Sequence, residues 1–207
     1  MSPSSRPLSR AEAKLLTRHR LMRGALSLLV QDGLAGLSTA RVAQAAGVAQ
    51  PTFYVHFESM NALLRSLATE TVLSVRADLH AARAPLRQSG DLMLASREAY
   101  RLSLRAVREH ADLLTVFLSE RYKPASELGR HARELLDTLQ ADLLSDAWFI
   151  PMAQSIPPAR QRLIAAGLVM LTIEYGLSQA SPSSASEDDM VDMLCLTTQS
   201  LLMAGMA

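Results

Sequence analysis

Apolar residues in this chain recur at spacings of three, four and seven, segment after segment, and each segment is bounded by a helix cap, a glycine or a proline. The period-two alternation of a half-buried strand is not found, and no repeat of fixed length emerges. The pattern therefore predicts an all-α chain of about nine helices. Ser9-Arg10-Ala11-Glu12 reads as a capping box that opens the first helix. That helix runs through Leu15, Met22, Ala25, Leu26, Leu29 and Val30 and leaves at Gly33. A short helix starts from Ser38 and ends before Gly47, and a third runs from around Pro51 to His56. Ser59 caps a long fourth helix reaching about Ala82, closed by Ala84-Pro85. Helices are further expected from Asp91 to about Glu109, from Asp112 to about Tyr122, and from Ser126 to Trp148 or Phe149 ahead of Pro151. Pro157-Pro158 starts another that stops at a Ser/Pro loop, 181–186. The last has Ser186 as its cap, Glu187, Asp188 and Asp189 in its first turn, and runs to about Met203.

With 49% apolar residues, 207 residues can bury one sizeable core or a small domain joined to a larger one. The net charge of +1 conceals an asymmetry: residues 1–58 hold seven basic residues against three acidic, the remainder fourteen against seventeen. A positive N-terminal part suits a nucleic-acid contact; a solvated charged face is the alternative. A lone cysteine, Cys195, excludes an intrachain disulfide, and its Met/Leu-rich surroundings read as those of a small buried apolar residue. The N-terminus MSPSSRPLSR lacks the apolar stretch of a signal peptide, and no run of about 18 apolar residues follows, so a cytoplasmic protein without a membrane span is expected. His19, His56, His80, His110 and His131 lie far apart without metal-ligand spacing. No Gly-rich phosphate loop, nucleophile elbow or Cys/His pair accompanies them. No catalysis, metal or cofactor is expected.

From Ser38 to Phe57 the order is a capped helix, a turn at Ala46-Gly47-Val48 and a second helix, the spacing of a helix-turn-helix; an ordinary helical hairpin is the other reading. Val42, Ala45, Val48 and Phe53 can pack the two helices together. The outer face of the second then offers Gln50, Thr52 and Tyr54, with His56 at its end. Glutamine can bond base edges in a bidentate manner, Thr and Tyr hydroxyls can bond phosphate oxygens, and Pro51 can lie against a thymine methyl.

Residues from about 12 to 72 resemble the DNA-binding domain of the tetracycline-repressor (TetR) family. The likeness is carried by Leu37-Ser38-Thr39, Val42-Ala43, Ala46-Gly47-Val48, Thr52-Phe53-Tyr54, His56-Phe57 and Leu63-Leu64. The resemblance implies that Thr39, Gln50, Pro51 and Tyr54 face DNA and that Thr52 and His56 touch its backbone, with Phe53 and Phe57 holding the domain together. Ser38 and Arg41 complete the candidate DNA-binding set. Met60 stands where the family usually has a phosphate-binding lysine, and Ala49 replaces its serine cap. Arg6 and Arg10 are candidates to reach a neighbouring groove or phosphate.

The organisation so implied is a flexible arm (1–8), a three-helix helix-turn-helix domain (9–58) packed on the start of helix 59–82, and an effector-binding and dimerisation domain (59–207). A small reader needs a second copy for useful specificity. The resemblance implies a homodimer in which helices of about 158–179 and 187–203 pair with their copies. Leu163, Gly167, Met170, Leu171, Glu174 and Leu177 line one face and Met190, Leu194, Thr197, Thr198, Leu201 and Leu202 the other. It also implies a ligand cavity. Phe117, Arg121, Tyr122, Trp148, Phe149, Met152, Met170, Glu174 and Tyr175 are its candidate residues, each with plain core packing as the alternative. Glu174 either finds a buried partner such as Arg121, Arg105 or His110, or sits at the dimer rim. The expected function is that of a repressor released from a palindromic operator in double-stranded DNA by a small, apolar effector. The alternative is an architectural or division-linked DNA-binding protein without an inducer, on the same scaffold.

Overall fold

The protein is described by a computed structural model over residues 9–178 and 185–206; the 1–8 arm with Arg6, and residues 181–184 of the Ser/Pro loop, lie outside the described residues. The described residues form eleven α-helices and one short 3-10 turn, Leu34–Gly36. All nine expected helices are present. The two additional ones, α5 and α9 below, have five residues each. The chain divides into two compact units, 1–68 and 69–207, with the boundary inside one helix.

The first unit contains α1 (Arg10–Asp32), α2 (Thr39–Ala45), α3 (Gln50–His56) and the start of α4 (Met60–Ala82). Each helix start follows from its cap. Ser9 Oγ accepts from the Glu12 amide at 3.2 Å while the Ser9 amide donates to Glu12 Oε2 at 2.7 Å. Ser38 Oγ accepts from the Arg41 amide at 3.2 Å, and Ser59 Oγ from the Ala62 amide at 3.1 Å. Between α2 and α3 the backbone reverses at Gly47, whose φ of 66° carries no Cβ penalty. Leu21, Ala25 and Leu29 of α1, Val42 of α2, Phe53 of α3, Phe57 and Leu63 are all buried. Gly24 lets α1 and α2 meet closely, since a Cβ there would lie 3.2 Å from Ala45 Cβ and 3.3 Å from Val42 O.

The second unit holds the rest of α4 with α5 (Ala84–Gln88), α6 (Leu92–Glu109), α7 (Ala111–Glu120), α8 (Glu127–Leu144), α9 (Phe149–Ala153), α10 (Pro158–Ser178) and α11 (Glu187–Met206). Helix α10 is central and packs on α6, α7, α8 and α11. Gly176 allows the α6 approach: a Cβ there would lie 2.5 Å from Val107 Cγ1. One apolar cluster joins Val75, Leu79, Val107, Leu135 and Ile173, and another joins Leu143, Phe149, Ile156, Leu168 and Leu202.

Three expectations are corrected. Ala84-Pro85 does not merely close α4, because Pro85 lies in the first turn of α5, where its fixed φ and missing N–H are compatible with a helix start. Helix α8 ends at Leu144, short of Trp148. Ser145 closes it by donating its hydroxyl to Ala141 O at 2.9 Å, and Asp146 turns to meet Arg83 and Arg87; Pro151 then falls inside the first turn of α9. On α11, Met190, Leu194, Thr198 and Leu202, expected on a pairing face, are buried within their own chain. The exposed apolar face of α11 is instead Met193, Leu196 and Met203.

Asp146 accepts from Arg83 Nε and Arg87 Nη1, both at 2.9 Å, with only 3% of its side chain exposed. Burial alone would raise its carboxyl, but the hydrogen bond and charge of Arg83, then those of Arg87, outweigh it and hold the group below its ordinary value of 3.8. A carboxyl depressed in the folded state contributes stability above the ordinary value and loses it as pH falls through the folded one. Asp146→Asn is therefore expected to lower unfolding free energy by about 1.5–3 kcal/mol at pH 7. In urea titrations the gap from wild type should narrow as pH falls below the ordinary 3.8; a gap independent of pH would contradict the assignment.

Candidate functional site

Helix α3 is seven residues long, and its single fully buried side chain, Phe53, pins it against the first unit. With Phe53 inward, Gln50, Pro51, Tyr54 and Val55 face solvent. Two of these are joined through half-buried Thr39 of α2: Gln50 Nε2 donates to Thr39 Oγ1 at 3.1 Å, and Thr39 Oγ1 lies 3.4 Å from the Tyr54 hydroxyl. The Tyr54 ring is 55% exposed yet oriented, because it meets Phe53 at a 77° interplanar angle with centroids 5.4 Å apart. One amide and two hydroxyls thus form a polar ridge across α2 and α3, held before any partner arrives. Ala49 gives α3 no side-chain cap, and Pro51 occupies its first turn instead.

The other sequence candidates sit around this ridge. Thr52 and His56 are half-buried. Burial, then the charges of Lys14 and Arg18, push the His56 imidazole below its ordinary value of 6.5, so it is neutral at pH 7. Arg18 donates to the His56 carbonyl at 3.4 Å and lies 4.3 Å from the Phe57 ring centroid, tying the end of α3 to α1. Ser38 caps α2. Arg41 bonds Asp32 at 2.5 Å and the Gly36 carbonyl at 2.6 Å, bracing the turn ahead of α2. Arg20 and Arg23 were not anticipated from sequence. They line an open groove with Gly24, Ser27 and Gln44 to Gly47, and only the fold brings their α1 positions beside the turn.

The second unit contains an inner chamber of about 70 Å³ and an outer one of about 230 Å³. The inner wall includes Leu79, Arg83, Leu139, Trp148, Leu168 and Ile173; the outer includes Met93, Met152, Cys195 and Leu202. Both share Ser96, Trp148 and Thr198. The Tyr100 hydroxyl bonds that of Thr198, and burial pushes Tyr100 up to about 12, so it stays neutral. Of the nine candidates from sequence, Trp148 and Met152 line these chambers. Phe117 and Phe149 are fully buried core, and Tyr122 is 79% exposed with Arg121 folded over its ring at 4.2 Å. Met170 is half-buried and Glu174 is exposed. Tyr175 packs against the cluster of Leu104, Met190 and Leu194.

Residues 21–67 match the sequence profile of the bacterial regulatory proteins of the tetR family. The match is confined to that family's N-terminal domain. It is 45% identical over 60 residues to the class C tetracycline repressor protein of Escherichia coli, 29% of this chain and 27% of that protein. The match to such repressors thus spans about a quarter of their length. The fold is similar over nearly the whole chain to a transcriptional regulator from Rhodococcus sp. Rha1, with a TM-score of 0.66, 20% identity, and 92% and 98% of the two chains covered. It is similar as well to SCO4454, a TetR-family transcriptional regulator from Streptomyces coelicolor, with a TM-score of 0.63, 17% identity, and 93% and 97% covered. The chain has the fold of a TetR-family transcriptional regulator. Among the described residues no helix is long and apolar enough to cross a membrane.

Proposed function

We propose that the chain is a homodimeric repressor whose α3 enters the major groove of a palindromic operator and which a small, apolar effector releases. The observation that carries this reading is the exposed Thr39–Gln50–Tyr54 ridge on a helix pinned by Phe53. An α-helix fits the major groove, and a glutamine amide has the donor and acceptor that adenine presents there. Thr52 and the neutral His56 serve as backbone contacts beside it, Pro51 meets a thymine methyl, and Arg41 and Ser38 keep the ridge in place.

The second copy is accommodated by the face that α10 and α11 leave exposed. Leu163, Gly167 and Met170 follow one another at spacings of four and three on α10, as do Met193, Leu196, Ser200 and Met203 at three, four and three on α11. Leu163 is 73% exposed, and a Cβ at Gly167 would meet nothing within 4 Å. These spacings suit close antiparallel or parallel packing of helices in a bundle. Glu174, exposed next to this face, sits at its rim.

Effector release follows from linkage. A ligand that binds the second unit better when the readers are misplaced must weaken DNA binding by the same factor, typically about 1–3 kcal/mol. The chambers in the second unit favour this over an architectural role without an inducer, which calls for a filled body.

Binding-site selection with two variants tests the assignment of the ridge. Gln50→Ala should relax preference at particular base pairs at a cost of about 1–3 kcal/mol, whereas Thr52→Val should weaken all duplexes alike. Uniform loss in both would rule out base reading by Gln50.

A further inference from the structure

We infer that the effector is a slim amphiphile with one anionic head group, the head held by Arg83 and Trp148 and the tail among Leu79, Leu139, Leu168 and Ile173; this rests on the chambers being the effector site.

The head group is implied by donors. Arg83 Nε is bonded to Asp146 Oδ2 at 2.9 Å and Nη1 to the Leu79 carbonyl at 3.1 Å, while the buried Nη2 has no acceptor. Buried Trp148 Nε1 has none either. Both residues line the inner chamber. A guanidinium keeps its proton at any physiological pH, so Nη2 is relieved only by an acceptor brought to it. A buried unmade hydrogen bond is costly, and more so for a charged donor, which makes such an acceptor strongly favoured.

Charge narrows the choice. Asp146 serves Arg83 and Arg87 together, so two cations share one anion. Among the described residues, Arg83 is the one charged side chain in either wall. Asp146 Oδ1 also lacks a donor, but Asp146 is not part of the walls. An anion is therefore attracted, a neutral acceptor less so, and a cation repelled. Four of the five hydroxyls in the walls are already engaged, Ser96 donating to the Leu92 carbonyl at 2.7 Å. Thr172 and Thr198 already donate to the Leu168 and Leu194 carbonyls at 2.8 and 2.7 Å, and Tyr100 is bonded to Thr198.

Shape sets the tail. The inner chamber of about 70 Å³ is small and walled largely by apolar side chains, Leu79, Leu139, Leu168 and Ile173 among them, which suits a single chain. Ser96, Trp148 and Thr198 also line the outer chamber, where half-exposed Leu92 and Met93 mark a way in.

Trp148 is the only tryptophan of the chain, so its fluorescence reports occupancy directly. The full-length protein at pH 7 is titrated with octanoate, 1-octanol and octylamine, which share a tail and differ in head. Octanoate should bind saturably and at least about tenfold tighter than octanol, with octylamine weakest. Arg83→Gln should bring octanoate to within about threefold of octanol and leave octanol unchanged, whereas Arg83→Lys, which retains the charge, keeps octanoate ahead. If the Gln variant does not fold, the three wild-type titrations decide. Octanol or octylamine binding as tightly as octanoate overturns the anionic head while leaving the chambers as the effector site. No saturable response to any of the three overturns both.

Discussion

Phe53→Ala is expected to destabilise the first unit by about 3–5 kcal/mol, the cost of emptying a fully buried aromatic site in a domain with little core to spare. Phe53 seats α3, meets Phe57 at 5.8 Å between centroids, and orients the Tyr54 ring. Its removal therefore unfixes the ridge as well as the core. Since ΔG of a whole small domain is only about 5–15 kcal/mol, a loss of this size leaves α3 frayed at 37 °C. Amide hydrogen exchange should show protection falling throughout α1 to α3 and persisting in α10. Unchanged protection of α2 and α3 would mean that Phe53 does not anchor the reader.

The second large effect is expected from the exposed face of α10 and α11. Leu163→Glu combined with Leu196→Glu places charges where two copies of an apolar strip would meet, and an unpaired buried charge is not tolerated at such an interface. Sedimentation should show the mass halved. Operator affinity should fall by a factor of about 10²–10⁴, because the second reader no longer binds as part of one molecule. Both residues are largely exposed within one chain, so the fold itself should melt as before. A variant that remains dimeric would place the pairing face elsewhere.

Much of the fold was legible because helix caps and prolines act locally. The Ser9–Glu12 box, Ser38, Ser59, Asp91, Ser126 and Ser186 all mark helix starts within a residue or two of those observed. Where reading failed, a long-range contact decided the outcome. Helix α8 ends early at Ser145 because the next residue is drawn to Arg83 and Arg87, some 60 positions away, and no local pattern records that. The grouping of Thr39, Gln50 and Tyr54 was legible because the three lie within one short segment.

The cavity was not. Arg83, Tyr100, Trp148 and Thr198 come from four distant stretches, and an aromatic such as Phe117 or Phe149 looks the same in sequence whether it lines a hollow or fills a core. The α11 face failed for a related reason. Met190, Leu194, Thr198 and Leu202 and the strip of Met193, Leu196 and Met203 are both at helical spacing, and only packing against α6 and α10 shows which is internal.

The most direct measurement is protection of duplexes tiled across the DNA upstream of the chain's own coding region, at low salt, by wild type and Tyr54→Ala in parallel. The account predicts that wild type protects two inverted half-sites whose centres lie one helical turn or a multiple apart, and that Tyr54→Ala binds at least about tenfold more weakly. Wild type that protects nothing, or a Tyr54→Ala protein that protects the same sites equally well, would contradict it.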